Sequence, residues 1–201
     1  FSSDFYWDII FEMIIGLLCL HNMNYLHLDI KPDNYLVDSK GYIRINDFSI
    51  AHKINEMNKL DDIIEGDSRY ISNEVFHFSK ENQIDTRCDI FSLGMSLLEL
   101  LGKIELPCNG KLWHDFRNDE FCLDEKYFEN CNIKDYKEFL LLISEMIAPI
   151  SKRPTLIELI KKYDELRKRY ELLLNKKYRK SCDIPKMFDG KGEIRFKNIP
   201  N

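Results

Sequence analysis

The segment His27 to Asn34 reads HLDIKPDN, and a little farther on the chain reads NDFS from Asn46 to Ser49. Transfer of a phosphoryl group from ATP to a hydroxyl needs little covalent help from a protein. It needs a carboxylate to orient and deprotonate the attacking hydroxyl, a cation near the migrating group, and oxygen ligands for magnesium. A D-x-K-x-x-N loop supplies all three from one bend: Asp29 as the base, Lys31 as the counter-charge, Asn34 as a neutral metal ligand. Pro32 stiffens that bend. Asp47 then offers the second carboxylate for a metal bridging the phosphates. A plainer reading stands beside this one, with Asp29 and Asn34 as loop caps and Asp47 as an Asx-turn residue.

The elements around these residues follow from periodicity. Phe5, Ile9, Met13, Leu17 and Leu20, with Ile10, Ile14 and Leu18, have helical spacing on a broad face, and predict a mostly buried helix with Asp4 as its N-cap. Two β-type runs, Tyr35 to Val37 and Tyr42 to Ile45, flank Asp38-Ser39-Lys40-Gly41 and predict a hairpin. Asp47 to Ser72 lacks sustained periodicity and reads as ordered but irregular. Ile90 to Leu101 is almost continuously apolar, as in a helix enclosed by protein and standing at the centre of the fold. Further helices are expected around Ile133 to Ala148 and from Thr155 through Leu156, Leu159, Ile160, Tyr163 and Leu166, with heptad-like spacing to Leu174. Past this point Pro185 and Asp189-Gly190-Lys191-Gly192 break any helix, and Glu193 to Lys197 reads as a strand.

Bulk properties narrow the function classes. The chain has 201 residues, 44% hydrophobic and 31% charged, with a net charge of −5, enough for one domain with a sizeable core. An acidic balance argues against nucleic acid or an anionic membrane as partner. Six cysteines without a C-x-x-C pair suggest free thiols, with neither a zinc site nor a redox dithiol. The run Met13 to Leu20 is too short to cross a bilayer, and the N-terminus has no leader-like features; an intracellular protein of nucleus or cytoplasm is expected. The chain starts at Phe1 and reads as a piece of a longer or processed protein.

HLDIKPDN, a hairpin, DFS and then DIFSLG resemble, in that order, the large C-terminal lobe of a eukaryotic protein kinase. The resemblance implies a mainly α fold with short β-hairpins, with Asp29 and Lys31 catalytic, Lys31, Asn34 and Asp47 binding ATP, and Asn34 and Asp47 holding Mg2+. It also implies a Glu74–Arg153 ion pair, an Asp89 that accepts hydrogen bonds from the catalytic-loop backbone, and a His27 that braces that loop. EGDSRYISNE (Glu65, Gly66, Asp67, Ser68, Arg69, Asn73, Glu74) and NGKLWHDFR (Asn109, Gly110, Trp113, His114, Arg117) are similar to blocks of the Wee-type mitosis-inhibitory kinases. That family implies an inhibitory tyrosine of a cyclin-dependent kinase as substrate, with the Asp67 to Ser72 segment shaping the acceptor site. Trp113 and His114 are expected in the core or on the surface, not in catalysis. The resemblance covers about Asp4 to Tyr163; residues 1–165 are taken as the kinase lobe and residues 166–201 as an extension, and the stretch Leu156 to Lys180 with its basic end is either a partner-binding or nuclear-targeting element or an ordinary solvated helix face.

Leu28 stands where most kinases carry an arginine that pairs with an activation-segment phosphate, so phosphorylation there is not expected to be required. Ser49 replaces the glycine of D-F-G, which is expected to restrict flipping of Asp47 and Phe48. No glycine-rich phosphate loop or lysine-bearing strand is present, so the small lobe is not expected within this chain, and the chain alone is expected to transfer little phosphate. Two rival functions remain: a kinase-shaped scaffold without catalysis, and a serine/threonine-specific enzyme.

Overall fold

Phe5, Ile9, Ile10, Met13, Ile14 and Leu17 are all buried along one helix, α1 (Ser3–Asn22). The computed structural model describes residues 2–59, 66–79, 84–118, 120–128, 133 and 136–178. The N-cap of α1 is Ser2, not Asp4. Asp4 lies in the first turn, where a carboxylate faces the positive end of the helix, and its Oδ1 accepts a hydrogen bond from Arg169 at 3.2 Å.

After α1 comes β1 (Tyr25–Leu26), then a single 3-10 turn at Pro32–Asn34, then β2 (Tyr35–Val37) and β3 (Ile43–Ile45). The latter two pair antiparallel with Tyr35 opposite Ile45, the expected hairpin. Strand β4 (His52–Lys53) returns to pair with β1, Tyr25 opposite Lys53. Two-residue strands carry no readable period, so this second pairing was invisible within the irregular segment. It closes a loop whose two ends bear the polar residues of interest. The hairpin is anchored to α1 by the Ile43 N–H, which donates to the buried Glu12 carboxylate at 2.7 Å.

The short α2 (Asn73–Phe76) precedes α3 (Arg87–Gly102), which is buried on nearly every side as its composition requires. Gly94 lets α3 approach the helix that follows later in the chain: a Cβ there would lie 2.8 Å from both Met146 Cβ and Ile147 Cγ2. Gly94→Ala is expected to cost about 1–3 kcal/mol through overpacking, measurable by urea unfolding. Next come α4 (Gly110–Asp115), too short to be foreseen, and α5 (Lys137–Met146). The latter is shorter than expected because Ile133, buried ahead of the helix, contributes to the apolar spacing without being helical.

The final helical run is two helices, α6 (Leu156–Lys162) and α7 (Asp164–Leu174), not one. Tyr163 interrupts it with ψ 118°, its ring buried near Trp7 at 6.3 Å between centroids. Asp164 and Glu165 then begin a fresh first turn, where acidic side chains are favoured. Thr155 and Glu158 form a reciprocal capping box on α6. The expected strand Glu193 to Lys197 lies outside the described residues.

Most apolar side chains join one large core around α1, α3, α5 and α6. A smaller cluster gathers Leu26, Leu28, Met57, Ile71, Val75, Ile84, Cys88 and Trp113. This second cluster underlies the polar loop. Among the described residues no helix is long and apolar enough to cross a membrane.

Candidate active site

Two non-glycine residues of the site are left-handed: Leu28 at φ 68° and Asp47 at φ 60°. Such backbone is uncommon and persists where surrounding contacts hold it. For Leu28 the contacts are explicit. The buried Asp89 carboxylate, near the start of α3, accepts from the backbone N–H of His27 at 2.8 Å and of Leu28 at 2.9 Å. His21, in the last turn of α1, adds its Nε2 to the same carboxylate at 3.0 Å. The Leu28 side chain is buried in the smaller apolar cluster. An apolar residue at this position therefore shares one cluster with Ile71 and Trp113.

His27 is fully buried and links the loop to the end of the hairpin. Its Nε2 lies 3.0 Å from the Asn46 carbonyl and its Nδ1 accepts from the Asp29 N–H at 3.3 Å. A carbonyl only accepts, so the proton sits on Nε2. The Asn46 N–H donates to the Asn34 carbonyl at 2.8 Å, and the Phe48 ring packs 5.4 Å from the imidazole. The Asp47 end of the hairpin is thereby held against the 27–34 loop.

The Asp29 carboxylate is gripped from three directions. Lys31 Nζ lies 2.7 Å from Oδ2, the Asn34 amide donates to the same oxygen at 2.9 Å, and the Asp67 N–H reaches Oδ1 at 3.2 Å. Asn34 also donates to the Asp29 carbonyl at 2.8 Å. With its NH2 spent on Asp29, the amide leaves its oxygen as the free end. The Asp47 carboxylate is exposed and lies below the usual carboxylate range, first because the Ser49 hydroxyl hydrogen-bonds it and then because the Ser49 N–H does so, at 3.2 Å. Ser49 is not left-handed, so this position carries no glycine-like strain. The Asx-turn reading of Asp47 holds for one oxygen and is compatible with a ligand on the carboxylate.

Glu74 of α2 pairs with Arg153, which also donates to the carbonyls of Ala148 at 2.9 Å and Arg87 at 2.7 Å. Gly66 packs so close to the loop that a Cβ would meet the Leu28 carbonyl at 2.7 Å. Beyond it, burial alone would raise the Asp67 carboxyl, but the Arg69 guanidinium and N–H outweigh burial and hold it below its usual value. A carboxyl depressed on folding stabilises above its unfolded value, about pH 4, and the benefit disappears as pH falls through the folded value. The stability advantage of wild type over Asp67→Asn is therefore expected to be full above about pH 4 and to decline progressively as the pH is lowered further, read from urea unfolding across pH.

The sequence pattern did not reveal that the two distinctive blocks touch. Trp113 Nε1 donates to the Ser68 carbonyl at 2.7 Å, and Arg117 donates to the carbonyls of Ser68 at 3.0 Å and Ile71 at 2.8 Å. Their joint occurrence was the available signal. Trp113 is buried, His114 is exposed beside it, and Glu65 lies outside the described residues.

Asn34 offers a neutral oxygen and Asp47 an anionic one, donor types that suit magnesium. Among the described residues no cluster of three or more His, Cys, Asp or Glu could hold a metal alone. The sequence profile of the family described as "Protein kinase domain" matches residues 1–163. The chain belongs to the protein kinase family.

Within that family the chain is of the Wee type. It is 35% identical over 175 residues to a membrane-associated tyrosine- and threonine-specific cdc2-inhibitory kinase of Drosophila melanogaster, covering 84% of this chain and 30% of the relative. It is 40% identical over 115 residues to the mitosis inhibitor protein kinase SWE1 of Candida albicans, 57% of this chain and 9% of the relative. The corresponding figures for the mitosis inhibitor protein kinase wee1 of Schizosaccharomyces pombe are 36% over 114 residues, 57% and 12%. The chain thus spans less than a third of the length of these relatives. Its helices and small hairpins fit the large, helical lobe of the kinase fold, and the family generally uses ATP and Mg2+.

Proposed function

We propose that the protein containing this chain is a Wee-type kinase that transfers the γ-phosphate of ATP to an inhibitory tyrosine of a cyclin-dependent kinase. The observation that carries this reading is the three-sided grip on Asp29, which fixes its carboxylate beside the Lys31 ammonium and the Asn34 amide. Asp29 orients the acceptor hydroxyl and takes its proton. Lys31 sits within reach of the transferring group and offsets its negative charge. Asn34, through its free amide oxygen, and Asp47 would hold magnesium. The chemistry such an ion would supply there is positive charge to offset the negative charge developing on the transferring group. The substrate assignment rests on relatives named as cdc2-inhibitory or as mitosis inhibitors.

A second reading, transfer to threonine as well as tyrosine, is favoured by the name of the Drosophila relative. The test is magnesium-dependent transfer from labelled ATP to a purified cyclin-dependent kinase by the full-length protein, with the modified residue identified by mass spectrometry. Phosphotyrosine alone supports the first reading and both residues support the second. A folded protein that labels neither is a scaffold. The isolated 201-residue chain, which carries no glycine-rich loop, is expected to label substrate at no more than background.

With Leu28 sealed in an apolar cluster, an activation-segment phosphate has no arginine beside Asp29 to engage. Phosphatase treatment of the full-length enzyme, checked by mass spectrometry for unmodified Ser68, is expected to leave its rate within about twofold of the untreated value. A larger loss would show that a phosphate does organise this segment.

A further inference from the structure

Arg117 is 7% exposed, and among the described residues no carboxylate pairs with it. Its guanidinium instead donates to backbone carbonyls: Nε to Ile71 at 2.8 Å, one terminal nitrogen to Trp113 at 3.0 Å, and the other to Ser68 at 3.0 Å and Arg69 at 3.2 Å. It stacks over the Trp113 ring at 3.9 Å, and Trp113 holds Ser68 with its own indole N–H. A buried charge facing only dipoles is costly to maintain, and burial pulls the Arg117 pKa down to about 10. Such an arrangement persists where a planar fork is needed to gather several acceptors at once, which an ammonium cannot do.

The carbonyls it gathers belong to one tight turn. The N–H groups of Tyr70 and Ile71 both return to the Asp67 carbonyl, and Arg69 is doubly bonded to the Asp67 carboxylate. Residues 67–71 thus move as a unit. One end of the unit reaches Asp29 Oδ1 through the Asp67 N–H, and the other is fixed by Arg117 and Trp113. We propose that Arg117, stacked on Trp113, is a positioning residue that sets the acceptor-side turn 67–71 against Asp29, and so controls where the substrate hydroxyl is presented. The proposal rests on the kinase reading above and assigns the mechanical origin of its acceptor geometry.

The variants are Arg117→Lys, which keeps charge but loses fork and stack, and Trp113→Phe, which keeps an aromatic surface but loses the N–H. In the full-length enzyme, Arg117→Lys is expected to lower kcat/KM for the protein substrate about 30-fold, and Trp113→Phe about 5-fold, since small misplacements of a reacting group cost this much. KM for ATP and the rate of ATP hydrolysis without acceptor should stay within about twofold. A merely structural role would move these readouts together. Hydrogen exchange on the 201-residue chain supplies a second readout that does not need activity. The amides of Tyr70 and Ile71 are expected to exchange at least about tenfold faster in Arg117→Lys, with those of α3 unchanged.

Faster exchange with a selective loss on the protein substrate supports the proposal. Unchanged exchange, or equal loss of protein transfer and ATP hydrolysis, overturns it. If the wild type transfers to no protein, the kinase reading fails, and the exchange result alone decides whether the clasp holds the turn.

Discussion

Asp29→Asn is expected to lower phosphoryl transfer to a protein substrate by about 10³-fold in kcat, with KM for ATP changed by less than about threefold. The substitution keeps the shape of the side chain and an oxygen for the Asp67 N–H, but it removes the carboxylate assigned to take the proton. It also turns an acceptor into a donor where two donors converge. Lys31 Nζ and the Asn34 amide both point at Asp29 Oδ2, from 2.7 and 2.9 Å; an NH2 in that place repels both. Asn34 would then keep only its bond to the Asp29 carbonyl of the two that orient its amide, so magnesium dependence is expected to weaken along with the rate. The measurement is transfer from labelled ATP to a cyclin-dependent kinase over a magnesium titration. Transfer by the mutant within tenfold of wild type would remove Asp29 as the base.

Asp89→Ala should have the largest effect on stability. Two buried backbone N–H groups, of His27 and Leu28, have their acceptor in this one carboxylate, and hydrogen bonds to a charged group contribute about 1.5–3 kcal/mol each. Losing both is expected to destabilise the fold by about 3–5 kcal/mol, a large part of the stability of a typical domain. The consequence extends to chemistry, because the carboxylate also holds Leu28 in its left-handed conformation, one residue before Asp29. Urea unfolding of wild type and Asp89→Ala, monitored through tryptophan fluorescence, gives the difference directly. Asp89→Asn retains one acceptor oxygen and should recover about half of the loss. A change below 1 kcal/mol in Asp89→Ala would mean that water replaces the carboxylate and that the loop is held elsewhere.

What the sequence reveals here tracks how local each feature is. The buried helices α1 and α3 are long and their apolar spacing is unambiguous; the hairpin has two runs and a turn between them. The roles suggested for Asp29, Lys31, Asn34 and Asp47 follow from residue type and spacing within short segments, and the structure brings the first three into direct contact through Asp29. Tyr163 could not be read, because a buried aromatic fits a helical repeat equally well whether its backbone is helical or extended. Strands β1 and β4 are two residues each and are defined only by pairing of Tyr25 with Lys53 and of Leu26 with His52. Arg117 reads in sequence as one more surface cation. Its burial depends on a turn some 46 residues earlier, and nothing in the nearby pattern records that.

The last described residues add a constraint on how the chain reaches this state. Arg169 of α7 closes on Asp8 at 2.8 Å, and the Tyr178 hydroxyl lies 3.4 Å from the same carboxylate and 3.3 Å from Glu12, with its ring 5.0 Å from that of Phe11. The first helix is thus completed by side chains 161 to 170 positions away. Contacts of such sequence separation form late, after their loop-closure entropy has been met. During synthesis α1 emerges with two acidic groups on a face destined for burial, and it docks fully only when α7 has left the ribosome. The kinase profile ends at residue 163, yet the side chains that close on Asp8 and Glu12 come from α7 and Tyr178, so a boundary drawn at the profile's edge would cut away contacts that α1 makes in the folded chain.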